Sequence, residues 1–171
     1  MRIALTGTPG TGKTITAKEL SKVLKLNHVE IARIALEMGA TGEEGVVDVD
    51  IVREKIEKMD NIIIDSHFAE MFDADLVFVL RCEPRILCER LKRRGYSKKK
   101  IRENVLAEIL DYCLINALEY HDSEKVFEVS ENPVGEIEEI VRNPAKERSL
   151  VFGSKTQFLT EENLKLVNCL E

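Results

Sequence analysis

Residues 5–20 of the chain read LTGTPGTGKTITAKEL, and this stretch decides the fold. Gly7, Gly12, Lys13 and Thr14 satisfy the pattern G-x-x-x-x-G-K-[ST], with Gly10 as a further glycine inside it. The pattern is informative only between a strand and a helix. Here it follows the apolar run Arg2 to Thr6 and precedes an amphipathic run from Lys13 to Leu24. Such a turn is a phosphate cradle. Its glycines let successive backbone N–H groups point inward, and the positive end of the following helix adds to the attraction for anions. Lys13 suits the β- and γ-phosphates of a nucleotide, and the Thr14 hydroxyl suits a magnesium ion.

Working outward, short apolar runs alternate with helical patterns. Strands are expected at Arg2 to Thr6, His28 to Ile31, Asn61 to Ile64, Leu76 to Leu80 and Val126 to Val129. The nearly unbroken apolar character of Ile62–Ile64 and Leu76–Leu80 is what a parallel strand covered on both faces requires. Helices are expected at Lys13 to Leu24, Asp50 to Lys58, Pro84 to Arg94, Ser97 to about Tyr120 and Val134 to Arg142. Pro84 suits a first helical turn and Gly95 a helix end. The sum is an α/β, doubly wound, five-stranded parallel sheet. Pro144 closes the alternation. Of the remainder, residues 144–171, one short helix is expected after Thr160, as a packed element or as a partner-binding arm.

Composition narrows the function classes. A net charge of -6 argues against coating nucleic acid over the whole surface but leaves room for a local basic site. No apolar run approaches the roughly 18 residues of a membrane span, and the apolar opening is too short for a secretory signal. The expected setting is cytoplasmic, with no membrane partner. The four cysteines have no paired CxxC spacing, which favours buried thiols over zinc ligands.

Two further segments carry chemistry. In NIIIDSHFAE (61–70), Asp65 falls at the carboxyl end of a buried strand, where open α/β sheets bind ligands; its carboxylate can hold magnesium opposite Thr14. His67 stands close enough to act on a water or an acceptor phosphate. Asp65 as a turn residue and His67 as a merely structural histidine are the plain alternatives. In ERLKRRGYSKKKIREN (89–104) the charge of Arg90, Lys92, Arg93, Arg94, Lys98, Lys99, Lys100 and Arg102 surrounds one glycine. A solvated helix end accounts for such a cluster by itself. Beside a phosphate cradle, a lid that closes on phosphates fits it better.

Taken together, TGTPGTGKT, the DSH of Asp65 to His67, VLRCEP at 79–84 and ERLKRRGYSKKKIRENVLAEI at 89–109 resemble the nuclear-type adenylate kinases and their archaeal relatives. The D-x-H distinguishes that branch from ordinary adenylate kinases, whose turn reads D-G-[FY]-P-R. The resemblance runs over roughly residues 1 to 142. It implies a P-loop NTPase fold of the nucleoside monophosphate kinase type, with a core over 1–143, an acceptor segment near 30–48 and a lid near 93–103. It also implies transfer of the ATP γ-phosphate to AMP or dAMP, hydrolysis of ATP, and help in the last maturation steps of small-subunit ribosomal RNA through a small-subunit ribosomal protein. The basic segment could also touch pre-ribosomal RNA, although the phosphates of a bound nucleotide are its simpler target. Residue by residue, it places ATP on Gly10, Thr11, Gly12, Lys13, Thr14 and the backbone of Ile15, and puts Arg94 on the nucleotide from the lid. Thr14 and Asp65 would serve Mg2+, His67 a water, and the loop Ser130 to Pro133, with Asn132, the adenine.

The chain departs from the family's pattern in its acceptor segment. An arginine that some relatives carry there falls at Leu36, with Arg33 and Arg53 as candidates to replace it, and no arginine follows Asp65. Three readings stand: an adenylate-type kinase, an ATPase switch in ribosome assembly with residual kinase activity, and a small-metabolite kinase on the same fold.

Overall fold

The computed structural model describes residues 1–42, 46–130, 132–143 and 156–170. Five strands, β1 (Arg2–Thr6), β2 (Asn27–Glu30), β3 (Ile62–Asp65), β4 (Leu76–Leu80) and β5 (Val126–Val129), form one sheet in the order β2-β3-β1-β4-β5, every pair parallel. The α/β doubly wound sheet expected from the sequence is the fold observed. Strands β3, β4 and β5 are buried at every position. Their alternate side chains split between two apolar layers. Ile3, Leu5, Ile63, Phe78 and Leu80 face helices α1 (Lys13–Leu24) and α7 (Pro133–Arg142). Ala4, Ile62, Ile64, Val77 and Val79 face the opposite layer, with α2 (Ile31–Glu37), α3 (Val49–Ile56) and α6 (Tyr112–Tyr120). Stacking of Phe78 on Phe127, centroids 5.5 Å apart, adds about 1 kcal/mol to the burial of both rings.

A third apolar cluster joins α4 (Pro84–Arg93) and α5 (Lys98–Ile109) through Leu87, Cys88, Leu91, Ile101, Val105 and Ile109. The last helix, α8 (Glu161–Asn168), sets Val167 and, just beyond it, Leu170 into this cluster. Caps fix the helix starts. Asp48, Glu83, Ser97, Asn132 and Thr160 each accept a backbone N–H of the first turn of α3, α4, α5, α7 and α8, as N-cap oxygens do. Helix α1 has no such side chain. Among the described residues no helix is long and apolar enough to cross a membrane.

Several expectations need correction: the helix expected over Asp50 to Lys58 runs Val49–Ile56, and the short helix α2 has no counterpart among the expected elements. The helix expected over Ser97 to Tyr120 is two helices, α5 and α6, because Asp111 takes a left-handed conformation, φ 56°. Its carboxylate accepts from the buried Arg81, and that tertiary ion pair overrides a local sequence without glycine or proline. The strand expected over Asn61 to Ile64 starts and ends one residue later, because Asn61 is also left-handed at φ 55°. The strand expected through Ile31 stops at Glu30, and Ile31, fully buried, opens α2 instead. Residues 43–45 of the expected acceptor segment, Glu131 of the expected adenine loop and residues 144–155 of the tail lie outside the described residues.

Candidate active site

The turn from β1 to α1 is built by positive-φ glycines. Gly7 has φ 137°, and a Cβ there would stand 2.5 Å from the Leu80 carbonyl oxygen of β4. Only glycine lets the loop leave the sheet so close to the neighbouring strand. At Gly12, φ 111°, a Cβ would meet nothing within 4 Å, so the backbone there borders open space. Gly12 is the N-cap residue of α1, whose first turn carries neither a capping side chain nor an acidic residue. Its N–H groups keep their attraction for an anion. The Thr11 hydroxyl is buried with no hydrogen-bond partner among the described residues. Leaving such a group unpaired costs roughly 1–3 kcal/mol.

Lys13 lies folded along this loop, its Nζ donating to the Gly7 carbonyl at 2.6 Å and the Thr8 carbonyl at 3.0 Å. Burial pushes its pKa down from 10.5 to about 8, against the raising influence of Cys113, Asp65, Glu108 and Glu70. The desolvated ammonium is therefore held ready for a stronger anionic partner. From outside, Arg90 Nη1 braces the loop by donating to the Gly10 carbonyl at 3.3 Å and the Thr11 carbonyl at 3.2 Å.

Asp65, the last residue of β3, stands in register with Leu5 of β1 and Glu30 of β2. It is buried, and its Oδ2 lies 3.0 Å from His28 Nε2 on β2. Two residues on, His67 makes an edge-on ring contact with Phe68 at 4.8 Å. Although the His67 ring is open to the cleft, desolvation, and then the charge of Lys13, lower its pKa below 6.5. It is neutral near pH 7. Glu70 sits beneath the loop, accepting from Thr6 Oγ1, and desolvation raises its pKa.

These elements enclose one cleft of about 800 Å³. Gly10, Gly12, Lys13, Thr14 and Ile15 line it on the loop side, and Asp65 and His67 at the sheet edge. Arg94, with Tyr96 and Lys100, lines it from the basic segment. Ile15 is exposed and offers the cleft an apolar side chain, while its backbone N–H donates to the Gly12 carbonyl at 3.1 Å. Thr11 lies within the loop but does not line the cleft, and Asn132 stands apart, its side chain accepting the Gly135 N–H at the start of α7. Glu30, Val46, Val47, Val49, Phe68 and Met71 line the rest of the cleft as a largely apolar wall. Neither candidate arginine is there: Arg33 pairs with Glu37, and Arg53 with Asp50 and the Met71 carbonyl. Leu36 is 70% exposed.

The donor set fits magnesium. Among the described residues no group of three or more His, Cys, Asp or Glu forms a metal cage. One hydroxyl and one carboxylate facing a phosphate site are the sparse, hard-oxygen set that Mg2+ uses alongside water and substrate phosphates.

Sequence reasoning missed His28, Thr8, Arg81 and Glu108. His28 shares β2 with residues that look merely structural, and its proximity to Asp65 arises only from strand pairing. Arg90 stood within the basic cluster, but nothing local marks it as a brace for a loop 80 residues away.

A family model described as an AAA domain matches residues 3–111. A "Putative adenylate kinase" of Pyrococcus furiosus is 43% identical over 160 residues, covering 86% of this chain and 88% of that protein. Its namesake in Methanocaldococcus jannaschii is 35% identical over 174 residues, covering 92% and 96%. Among solved structures, a shikimate kinase from Bacteroides thetaiotaomicron superposes with a TM-score of 0.61 at 18% identity, over 83% of this chain and 98% of that one. A deoxyadenosine kinase from M. mycoides with bound dATP gives 0.52 at 16% identity, over 84% and 100%. At such low identity these two structures speak for the fold alone.

Proposed function

From the premise that this chain belongs to the family of the archaeal putative adenylate kinases, we propose that it transfers the γ-phosphate of ATP to AMP or dAMP. The observation that carries the proposal is the single cleft in which the phosphate loop, Asp65, His67 and the lid residue Arg94 meet. Phosphoryl transfer asks for little covalent chemistry from a protein; it asks for positioning and for charge where the phosphates are. Backbone N–H groups of Gly10, Gly12, Lys13 and Thr14 orient the phosphates. Lys13 supplies a partly desolvated cation, and Arg94 supplies charge from the lid to the group in transfer. Thr14 and Asp65 would hold Mg2+, which when bound neutralises phosphate charge. The apolar wall of Val46, Val47, Val49 and Phe68 suits a nucleobase at the acceptor end.

A second activity, hydrolysis of ATP, is favoured by a specific observation. No arginine among the described residues lines the acceptor end, whereas a neutral His67 opens onto the cleft and can accept a hydrogen bond from water. A role in small-subunit ribosomal RNA maturation, through a small-subunit ribosomal protein and pre-ribosomal RNA, belongs to the same proposal and rests on the D-x-H and lid resemblance.

The test is ADP formation by the purified chain with Mg·ATP, alone and with AMP, dAMP, CMP, UMP or GMP. Strong stimulation by AMP or dAMP is expected. One slow rate whatever the acceptor would refute the kinase reading and leave hydrolysis.

A further inference from the structure

Beneath the phosphate loop lies a buried polar network that the cleft does not use directly. Glu108 of α5, 2% exposed, divides its carboxylate between two sides. Its Oε2 accepts the Thr8 hydroxyl at 2.5 Å. Its Oε1 accepts Arg81 Nε and the Cys82 N–H, both at 3.0 Å. Arg81 Nη2 also donates to the Glu108 carbonyl at 3.1 Å, so side chain and backbone of Glu108 are held together. Arg81 is itself fixed by Glu128 and Asp111, and its guanidinium lies 5.2 Å from the ring centroid of Phe158. Glu108 therefore has no freedom to swing.

Thr8 is the residue whose carbonyl, with that of Gly7, receives the Lys13 ammonium. We propose that Glu108 is a positioning residue for nucleotide turnover: from helix α5 it holds Thr8, and with it the carbonyl perch of Lys13. The expected lid, residues 93–103, runs through the cap Ser97 into the first turns of α5, the helix that carries Glu108. One carboxylate thus ties the phosphate loop to the arm that carries the lid. A buried charge fully occupied on both sides acts as a rigid strut, since any displacement of α5 would break a charged hydrogen bond to the loop.

The inference rests on the cleft being a site of ATP turnover and not on the acceptor. Thr8→Val keeps the shape of the side chain and removes the hydroxyl; Thr8→Ser restores it. Glu108→Asp is too short to span Thr8 and Arg81. The full chain is assayed for ADP formation from Mg·ATP with and without AMP, and thermal unfolding is followed for each variant. Thr8→Val and Glu108→Asp are each expected to lower kcat about tenfold with KM for ATP changed less than about threefold. Thr8→Ser stays within about twofold of the parent. The double variant falls no further than the worse single one, because both break one link. Multiplying effects in the double variant, wild-type kcat in Thr8→Val, or Thr8→Ser as impaired as Thr8→Val would each overturn the proposal. If Glu108→Asp does not fold, the Val and Ser pair at Thr8 decides alone. Absence of AMP stimulation refutes the kinase reading and leaves this test standing, since it is scored on ATP.

Discussion

Lys13 offers a test in which activity and stability move in opposite directions. Burial lowers its pKa from 10.5 to about 8, which at 1.36 kcal/mol per unit corresponds to about 3 kcal/mol. The unfolded chain keeps the proton up to about 10.5 and the folded chain only to about 8. Between those values the unfolded state binds more protons, so this group makes the fold more stable as pH rises through the window. Below about 8 the full cost of burying the charge is present. Activity follows the opposite sign. A neutral amine cannot serve the phosphates, so kcat/KM for ATP, which reports the free enzyme, should fall above pH 8 by up to about tenfold per unit. Lys13→Met removes the titration while nearly keeping the volume. Urea unfolding of both proteins, from neutral pH to above 10.5, should show the parent gaining about 3 kcal/mol on the variant across the window, a midpoint shift of about 1–2 M. Parallel stability curves together with a kcat/KM flat to the alkaline end would refute the account of Lys13 as a buried, charged phosphate ligand.

Other substitutions separate the parts of the site. His67→Ala should lower acceptor-free ATP hydrolysis about a hundredfold while ATP affinity, read by titration with a fluorescent analogue, changes less than about twofold; unaltered hydrolysis removes His67 from the mechanism. Gly7→Ala places a methyl 2.5 Å from the Leu80 carbonyl oxygen at a positive φ, and should cost about 2–4 kcal/mol in thermal unfolding as well as ATP binding. Gly12→Ala meets no neighbour, so it should cost about 1–2 kcal/mol of backbone strain and lose ATP affinity disproportionately; equal damage to stability at both glycines would contradict the loop geometry. Arg94→Ala should raise KM for ATP or lower kcat at unchanged melting temperature, since the side chain is exposed at the mouth of the cleft.

Local chemistry was enough for much of this protein. Glycine spacing, lysine and threonine between an apolar run and an amphipathic one specify a phosphate loop, because each of those roles is met within eight consecutive residues. Unbroken runs such as Leu76–Leu80 specify strands covered on both faces, because no alternation is left for solvent. Asp65 was legible as a cleft residue from its place at the carboxyl end of a buried strand, and His67 from its spacing to Asp65, whereas Arg94 was singled out by the basic cluster and the family resemblance; all three line the cleft. Other features have no local cause. The break at Asp111 is imposed by Arg81, 30 residues away, against the helical preference of its own neighbours. The contact of His28 with Asp65 is made by strand pairing, and that of Thr8 with Glu108 spans 100 residues. Local sequence can state what a residue is able to bind, since that depends on its own atoms and its nearest turns. Which buried charge meets which partner depends on packing, where desolvation makes an unpaired group costly and so selects, among all the carboxylates of an acidic chain, the few that complete the site.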